Sequence, residues 1–502
     1  MQQLLLGIDI GTSACKVALF TREGRVVSAK SAKYICSYPN PGWVEQDPAV
    51  WWDAVCQAVR NVLSDVDVPP EAIAGIGVDG QSWAPVYLDG AGHVLANAPL
   101  WFDTRSKDAC RMLNERIGEE EIFRVAGNPL QPMYTTGKVV WLEREAPEVF
   151  KKVEKILSSN GYITYRLCGE MTMDMAQGYS WHCFDIRQGR WDLEMCKKLG
   201  IPSRMLPRLV PCHQVVGQVT RAAADQTGLA VGTKVVAGGL DAACATLGAG
   251  VIHAGECQEQ GGQAGGISIC MDQYKADPRL ILSAHVVPGT WILQGGTTGG
   301  GGVMRWMERE FAQYERSIEG KIGRSSLEQF NDLAGVIPPG SEGLVFLPYM
   351  SGERTPIWDP NAKGVFYGLD FAKTKGHMIR AAMEGVAYSI RHNIDVAEAA
   401  GCEVDVLRAT GGSANSLLWT QIKADITGKD FIVPYSDMAT VLGTALLTGV
   451  GVGMYKDFEE AVSLTIKEER IHKADPGRWD IYDKNYQVYK SLYRDLKDLM
   501  GR

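Results

Sequence analysis

The 502-residue sequence has no Cys-x-x-Cys pair and no His-rich tract, so its 12 cysteines read as free thiols of a reducing, cytoplasmic setting, with no zinc or disulfide framework. It has no basic excess. Asp and Glu number 59 against 51 Lys and Arg, a net charge of -8, which argues against nucleic acid or an anionic membrane as a partner. No apolar run approaches the roughly 18 residues of a membrane span. The N-terminus carries no basic leader: Leu4-Leu5-Leu6 enters Gly7-Ile8-Asp9 at once, as a first strand. A G-x-x-x-x-G-K-[ST] loop is also missing, which excludes a P-loop enzyme. With 45% apolar and 22% charged residues, the chain is neither fibrous nor disordered, and its length suits two large domains or about three ordinary ones.

What is present is a strand and helix grammar. Leu4 to Ile10 and Cys15 to Phe20 are apolar or β-branched runs on either side of Gly11-Thr12-Ser13, the pattern of a strand, a tight turn and a second strand. Asp47-Pro48 then starts a helix, with Trp51, Val55, Val59 and Val62 on one face. The grammar returns at Glu256 to Gln260, Gly261 to Gly266 and Ile267 to Met271. Gly262 lies 251 residues after Gly11, half the chain, which suits two related α/β lobes, 1–250 and 251–502, facing each other across a cleft. The last helix carries Tyr482, Tyr486, Tyr489, Tyr493, Leu496 and Leu499 on a face expected to pack in the core.

Gly75-Ile76-Gly77-Val78-Asp79-Gly80 matches G-x-G-x-x-G, but no helix opens on these glycines, so a dinucleotide-binding reading is refused. Four other glycine-rich turns lie at strand ends: Gly7 to Ser13, Gly261 to Gly266, Gly295 to Gly302 and Gly411 to Asn415. Glycines let backbone N–H groups converge on an anion, and neighbouring hydroxyls add donors. Together the four turns suggest a nucleotide cleft, although each alone reads as an ordinary hairpin.

At this point the sequence resembles the FGGY carbohydrate kinases, a branch of the actin-like ATPase superfamily. The resemblance rests on Gly7-Ile8-Asp9-Ile10-Gly11-Thr12-Ser13, on Trp101-Phe102-Asp103-Thr104-Arg105, and on Phe346-Leu347-Pro348-Tyr349-Met350-Ser351-Gly352-Glu353-Arg354-Thr355-Pro356. Gly411-Gly412-Ser413-Ala414-Asn415 resembles the adenosine motif, and the Phe346 to Pro356 string is similar to that of xylulose kinases. The resemblance implies two ribonuclease-H-like lobes, ATP and Mg²⁺ in the cleft, a homodimer, and phosphorylation of an open-chain sugar or polyol.

It also implies roles. Asp241 is expected as general base, and Asp9 as the Mg²⁺ carboxylate. Gly11, Thr12, Ser13, Gly262, Thr298, Gly299, Gly411, Gly412 and Asn415 are expected on ATP, and Gln81, Ser82, Trp83, Asp103, Arg105 and Asp241 on the sugar. By local pattern alone Asp241 is an N-cap, Asp9 a turn aspartate, and Asp103 with Arg105 a surface ion pair. Arg354 is left without a catalytic role, as are His182 and His392.

Three departures from xylulose kinases stand out. Trp83 replaces a histidine, Ala242 replaces an asparagine, and Gln263-Ala264 replaces a Thr-Ser in the second turn. They leave other ketoses, pentitols, erythritol, glycerol and sugar acids open as acceptors. An actin-like ATPase without sugar kinase activity and a weak sugar-responsive regulator are the readings from other classes.

Overall fold

A computed structural model describes residues 3–435 and 438–501. Two seven-stranded sheets form its centre. The first contains β1 (Leu4–Ile10), β2 (Ala14–Phe20), β3 (Val26–Lys33), β4 (Ile73–Gly80), β5 (Val215–Gln218), β6 (Lys234–Val236) and β7 (Gly239–Leu240). Its order is β5-β6-β4-β1-β2-β3, with β7 paired to the end of β4. The second contains β8 (Gly255–Gly261), β9 (Gly265–Met271), β10 (Ile281–Ala284), β11 (Trp291–Thr297), β12 (Val404–Thr410), β13 (Asp430–Pro434) and β14 (Glu468–His472), in the order β10-β11-β9-β8-β12-β13-β14.

The two sheets repeat one design. In each, a strand pairs antiparallel with its hairpin partner and parallel with a later strand: β1 with β2 and β4, β8 with β9 and β12. The glycine turns Gly11 to Ser13 and Gly262 to Ala264 occupy the same place in the two hairpins, as the half-chain spacing anticipated.

Helix α1 (Pro48–Ser64) starts where expected, with the Asp47 carboxylate accepting from the Ala49 N–H, and it buries Trp51, Val55, Val59 and Val62 against the first sheet. Leu4 to Ile10 is buried along its whole length because both faces of β1 are covered. The second face is covered from the far half of the chain. Helix α2 (Asp241–Gly248) follows β7, and helix α3 (Ala439–Val452) lies along it and across β1 and β4.

Glycine is what admits α3. A β-carbon on Gly75 or Gly77 would run into Val452, Thr448 or Thr444 of α3, and one on Gly7 would run into Val441. The rejected dinucleotide motif is therefore a groove in which a helix is seated. Between the helices the contact is backbone on backbone: β-carbons at Gly248 and Gly443 would collide with the carbonyls of Ala439 and Cys244. The division at residue 250 thus leaves one element of the second half packed on the first sheet.

The last helix, α4 (Trp479–Met500), packs as expected. Tyr482, Tyr486 and Tyr489 are buried, and the Tyr349 hydroxyl donates to Tyr489 at 2.7 Å, while Leu499 faces outward.

Forcing a methyl group into a close-packed contact costs typically about 1–3 kcal/mol. Gly443→Ala is accordingly expected to lower the apparent melting temperature by several degrees, whereas Gly320→Ala, a helical glycine with open space around it, leaves it unchanged or higher, as read by thermal denaturation.

Candidate functional site

Strands β1 and β4 run side by side with Asp9 opposite Asp79, so two carboxylates project toward α2 and α3 from one face of the sheet. Asp241, the first residue of α2, joins them. Asp9 is 9% exposed and Asp79 is sealed. One oxygen of Asp79 accepts from the Thr444 hydroxyl, and the other is buried with no hydrogen-bond donor among the described residues.

Burial, with too little counter-charge, raises all three acids. For Asp9 burial is opposed by Lys16, and for Asp79 the charge of Asp9 adds to burial. Asp241 is pushed up to about 7 by burial and by Asp9, against the single N–H of Ala242 that its carboxylate accepts at 2.7 Å. It is not the N-cap of α2, a place taken by Leu240. A carboxylate that titrates near neutrality beside a cavity is suited to take a proton.

Three adjoining cavities cross the cleft. One of 240 Å³ is lined by Asp9, Gly11, Lys16, Asp241 and Thr440. One of 320 Å³ is lined by Gly261, Gly301, Arg305, Gly412, Ser413 and Asn415. A third, of 200 Å³, has a wall that includes Gly262 to Gly266 and Arg354. Gln260 and Ala242 line both the 240 Å³ and the 200 Å³ cavities.

Among the described residues, the backbone N–H groups of Thr12 and Ser13 in the first turn and of Gly262, Gln263 and Ala264 in the second have no acceptor. Both turns are therefore supplied with free donors despite the loss of hydroxyls in the second. Gln263 turns its side chain away, its carbonyl oxygen accepting from Arg305. Buried Lys423 fixes the Gly412 region by donating to Ser413 Oγ and to Glu259, each at 2.7 Å.

The remaining residues expected on ATP are arranged differently. Gly411, at φ +80°, steers the chain over Gly261. Thr298 and Gly299 do not line the 320 Å³ cavity. Thr298 gives its N–H to Glu353 and its hydroxyl to Gly352 O, and Gly299 is closed off by the Pro348 carbonyl. This pair ties β11 to the loop that carries Arg354, and Gly301 takes the place expected of it.

On the sugar side, Gln81 is buried in a network in which its amide donates to Gln46 and Thr12 Oγ1 accepts from Trp101 Nε1 at 3.0 Å. Ser82 lies beside the Tyr179 hydroxyl. Trp83, at φ +55°, is 5% exposed and packs its ring against Tyr134 and Tyr179 at 4.6 and 5.7 Å, with Nε1 buried and without a hydrogen-bond acceptor among the described residues. Buried Lys138 holds that strained turn by donating to the carbonyls of Trp83 and Leu100 at 2.7 and 2.6 Å. Its ammonium is lowered to about 7, by burial above all.

Asp103 and Arg105 form neither an open cleft pair nor a surface one. The Asp103 carboxylate is spent on the Val44 N–H and on Arg105, whose guanidinium also grips Glu45 and lies 4.0 Å over the Trp43 ring. The pair braces the wall beneath Trp101. His182 is sealed between Thr136 and the Pro129 carbonyl and lowered to about 4 by burial, in keeping with its lack of a role.

Lys16, Asp79, Lys138, Arg305 and Thr440 were not anticipated from the sequence. Lys16 alone carried a signal, as a cation just after the first glycine turn.

The raised pKa of Asp241 has a consequence for stability. A carboxyl held above its unfolded value binds more protons in the folded state, so it subtracts stability as pH rises from about 4 through 7. Asp241→Asn is expected to raise the apparent melting temperature at pH 8 and to leave it little changed near pH 4, where both forms are neutral, as read by parallel melts.

The N-terminal domain of the FGGY family of carbohydrate kinases matches residues 4–248, and the C-terminal domain of that family matches residues 273–452. The xylulose kinase of Staphylococcus epidermidis is 31% identical over 99% of this chain and 98% of its own length. The gluconokinase of Bacillus subtilis is 30% identical over 100% of this chain and 96% of its own. The crystal structure of xylulose kinase from Rhodospirillum rubrum superposes with a TM-score of 0.89 at 30% identity, covering 100% of both chains. With an actin-like two-lobed fold and both domains of the family in order, the chain belongs to the FGGY carbohydrate kinases, enzymes that phosphorylate sugars with ATP.

Proposed function

We propose that this kinase transfers the γ-phosphate of ATP to a hydroxyl of an open-chain ketopentose, D-xylulose, with Asp241 as general base. The observation that carries the reading is the placement of a neutral-titrating Asp241 in one cavity with Asp9, Gly11 and Lys16, beside a second turn whose N–H groups are free. Full-length similarity to enzymes named xylulose kinase supports the acceptor. A second acceptor, gluconate, draws support from the gluconokinase relative at nearly the same identity.

In this reading the 1–250 lobe takes the sugar and the first phosphate turn, and the 251–502 lobe takes the nucleotide. The 320 Å³ cavity receives the adenosine at Gly412 and Asn415. The phosphates pass Gly262 toward Gly11, Thr12 and Ser13, where backbone N–H groups and the Lys16 ammonium meet their oxygens. Asp241 accepts the proton of the acceptor hydroxyl while its oxygen bonds to the γ-phosphorus and the bridging bond to ADP breaks.

Mg²⁺ fits the hard oxygen donors of Asp9 and of Asp79, whose second oxygen is unpartnered, and it would neutralise charge on the phosphates. Among the described residues no three His, Cys, Asp or Glu side chains are grouped to hold a metal by themselves, so water and phosphate would complete its shell. A homodimer is part of the proposal, on the prevalence of two-fold assemblies. Among the described residues no helix is long and apolar enough to cross a membrane.

With Mg-ATP, D-xylulose is expected to raise ADP release at least about tenfold over the acceptor-free rate, since cleft closure on sugar keeps water from the phosphoryl group. Response to D-gluconate instead selects the second acceptor, and response to no sugar contradicts both. The value of kcat/KM for the acceptor should fall about tenfold per pH unit below about 7, as Asp241 gains its proton.

A further inference from the structure

The 200 Å³ cavity is lined by donors that no acceptor among the described residues satisfies. Arg354 lies over Gly296, where a β-carbon would come 2.9 Å from its Nη2, and its guanidinium is 5.8 Å from the Trp101 ring. Among the described residues no acceptor hydrogen-bonds its side chain, and Nε is buried without a partner. The adjacent Glu353 offers no relief. Its oxygens already accept from the Thr297 hydroxyl and from the N–H groups of Thr298 and Arg354. Gln294 lines the same cavity, and its Nε2 is likewise buried and unpartnered.

A buried donor left unpaired is costly, and more so when charged. Two of them on one cavity are best accounted for by a ligand that brings acceptors. The cavity reaches Asp241 through Ala242, so an acceptor whose reacting hydroxyl sits at Asp241 extends its other end past Ala242 toward Arg354. Lys16 already supplies the cation in the cavity with Asp9 and Gly11, which leaves Arg354 to the acceptor. Ile267 and Ile281 give the same cavity apolar surface for carbon-bound hydrogens. A planar guanidinium with its N–H groups free suits an sp² oxygen better than a scattered set of hydroxyls.

We infer that Arg354 and Gln294 form the acceptor-recognition subsite, reading the carbonyl oxygen of a ketose or the carboxylate of a sugar acid at the end remote from the transferred phosphate. The inference rests on the kinase reading above and adds that polyols, which lack such an oxygen, are poor acceptors. Gly296 is the platform that keeps the guanidinium in place.

The test compares the wild type with Arg354→Gln and Gln294→Leu on D-xylulose, D-gluconate and pentitols, with folding checked by thermal melts. The wild type should prefer whichever of D-xylulose and D-gluconate it uses over the pentitols, and the identity of that acceptor separates carbonyl from carboxylate. Arg354→Gln should lower kcat/KM for that acceptor by at least about tenfold through KM, leave KM for Mg-ATP unchanged, and shrink the preference over pentitols. A rise in KM for Mg-ATP, or an unaltered acceptor KM and preference, overturns the inference while leaving the kinase reading intact. If Arg354→Gln does not fold, Gln294→Leu decides by the same criteria. A wild type that phosphorylates none of the acceptors overturns the reading beneath it, and this inference with it.

Discussion

Two helices from opposite halves of the chain meet backbone to backbone, and the geometry of the cleft depends on that contact. α2 and α3 approach until Gly248 lies against the Ala439 carbonyl and Gly443 against that of Cys244. The approach fixes Asp241 at the head of α2. It also brings Thr444 of α3 onto Asp79 across 365 residues of sequence. Gly7, Gly75 and Gly77 let α3 lie flat on the first sheet, so the glycines shape the site without touching its contents.

The same compression sets the electrostatics. Asp9, Asp79 and Asp241 share a space with one nearby ammonium, and burial drives all three toward the protonated form. For the fold this is a loss, since the carboxylates would be more stable in water. For proton abstraction it is the useful condition, because a base that titrates near neutrality is basic enough to act while about half of it is ionised at pH 7. Stability and function pull against each other at Asp241, a common feature of sites that hold strained or poorly solvated groups.

Much of the fold was legible because its signals are local. Strand, glycine turn and strand are contiguous at both hairpins, and the apolar rhythm of α1 and the tyrosine face of α4 are written into single segments. The family resemblance placed Asp9, Asp241 and the two turns, and these line the cavities. What escaped was non-local. Asp103 with Arg105 looks the same in sequence whether exposed or sealed, and only the packing of Trp43 and Glu45 shows the pair to be a brace. Thr298 and Gly299 belong to a run of glycines that could have faced ATP, yet the Pro348 to Glu353 loop claims them. Asp79 sits in the glycine motif set aside as a dinucleotide site, Lys138 and Thr440 in unremarkable segments, and all three gain meaning only from the chain that folds over them. Arg354 was visible as a charge in a recognisable loop, but that its side chain finds no hydrogen-bond acceptor among the described residues is a fact of the assembled cleft.

The central claim is that the cleft delivers the γ-phosphate of ATP to a hydroxyl activated by Asp241. The most direct measurement is calorimetric titration of Mg-ATP into Asp241→Ala, paired with ³¹P NMR of its reaction with the preferred sugar. The account predicts ATP affinity close to that of the wild type, with sugar phosphate formed at least about a hundredfold more slowly. Sugar phosphate formed at a rate near that of the wild type would contradict it.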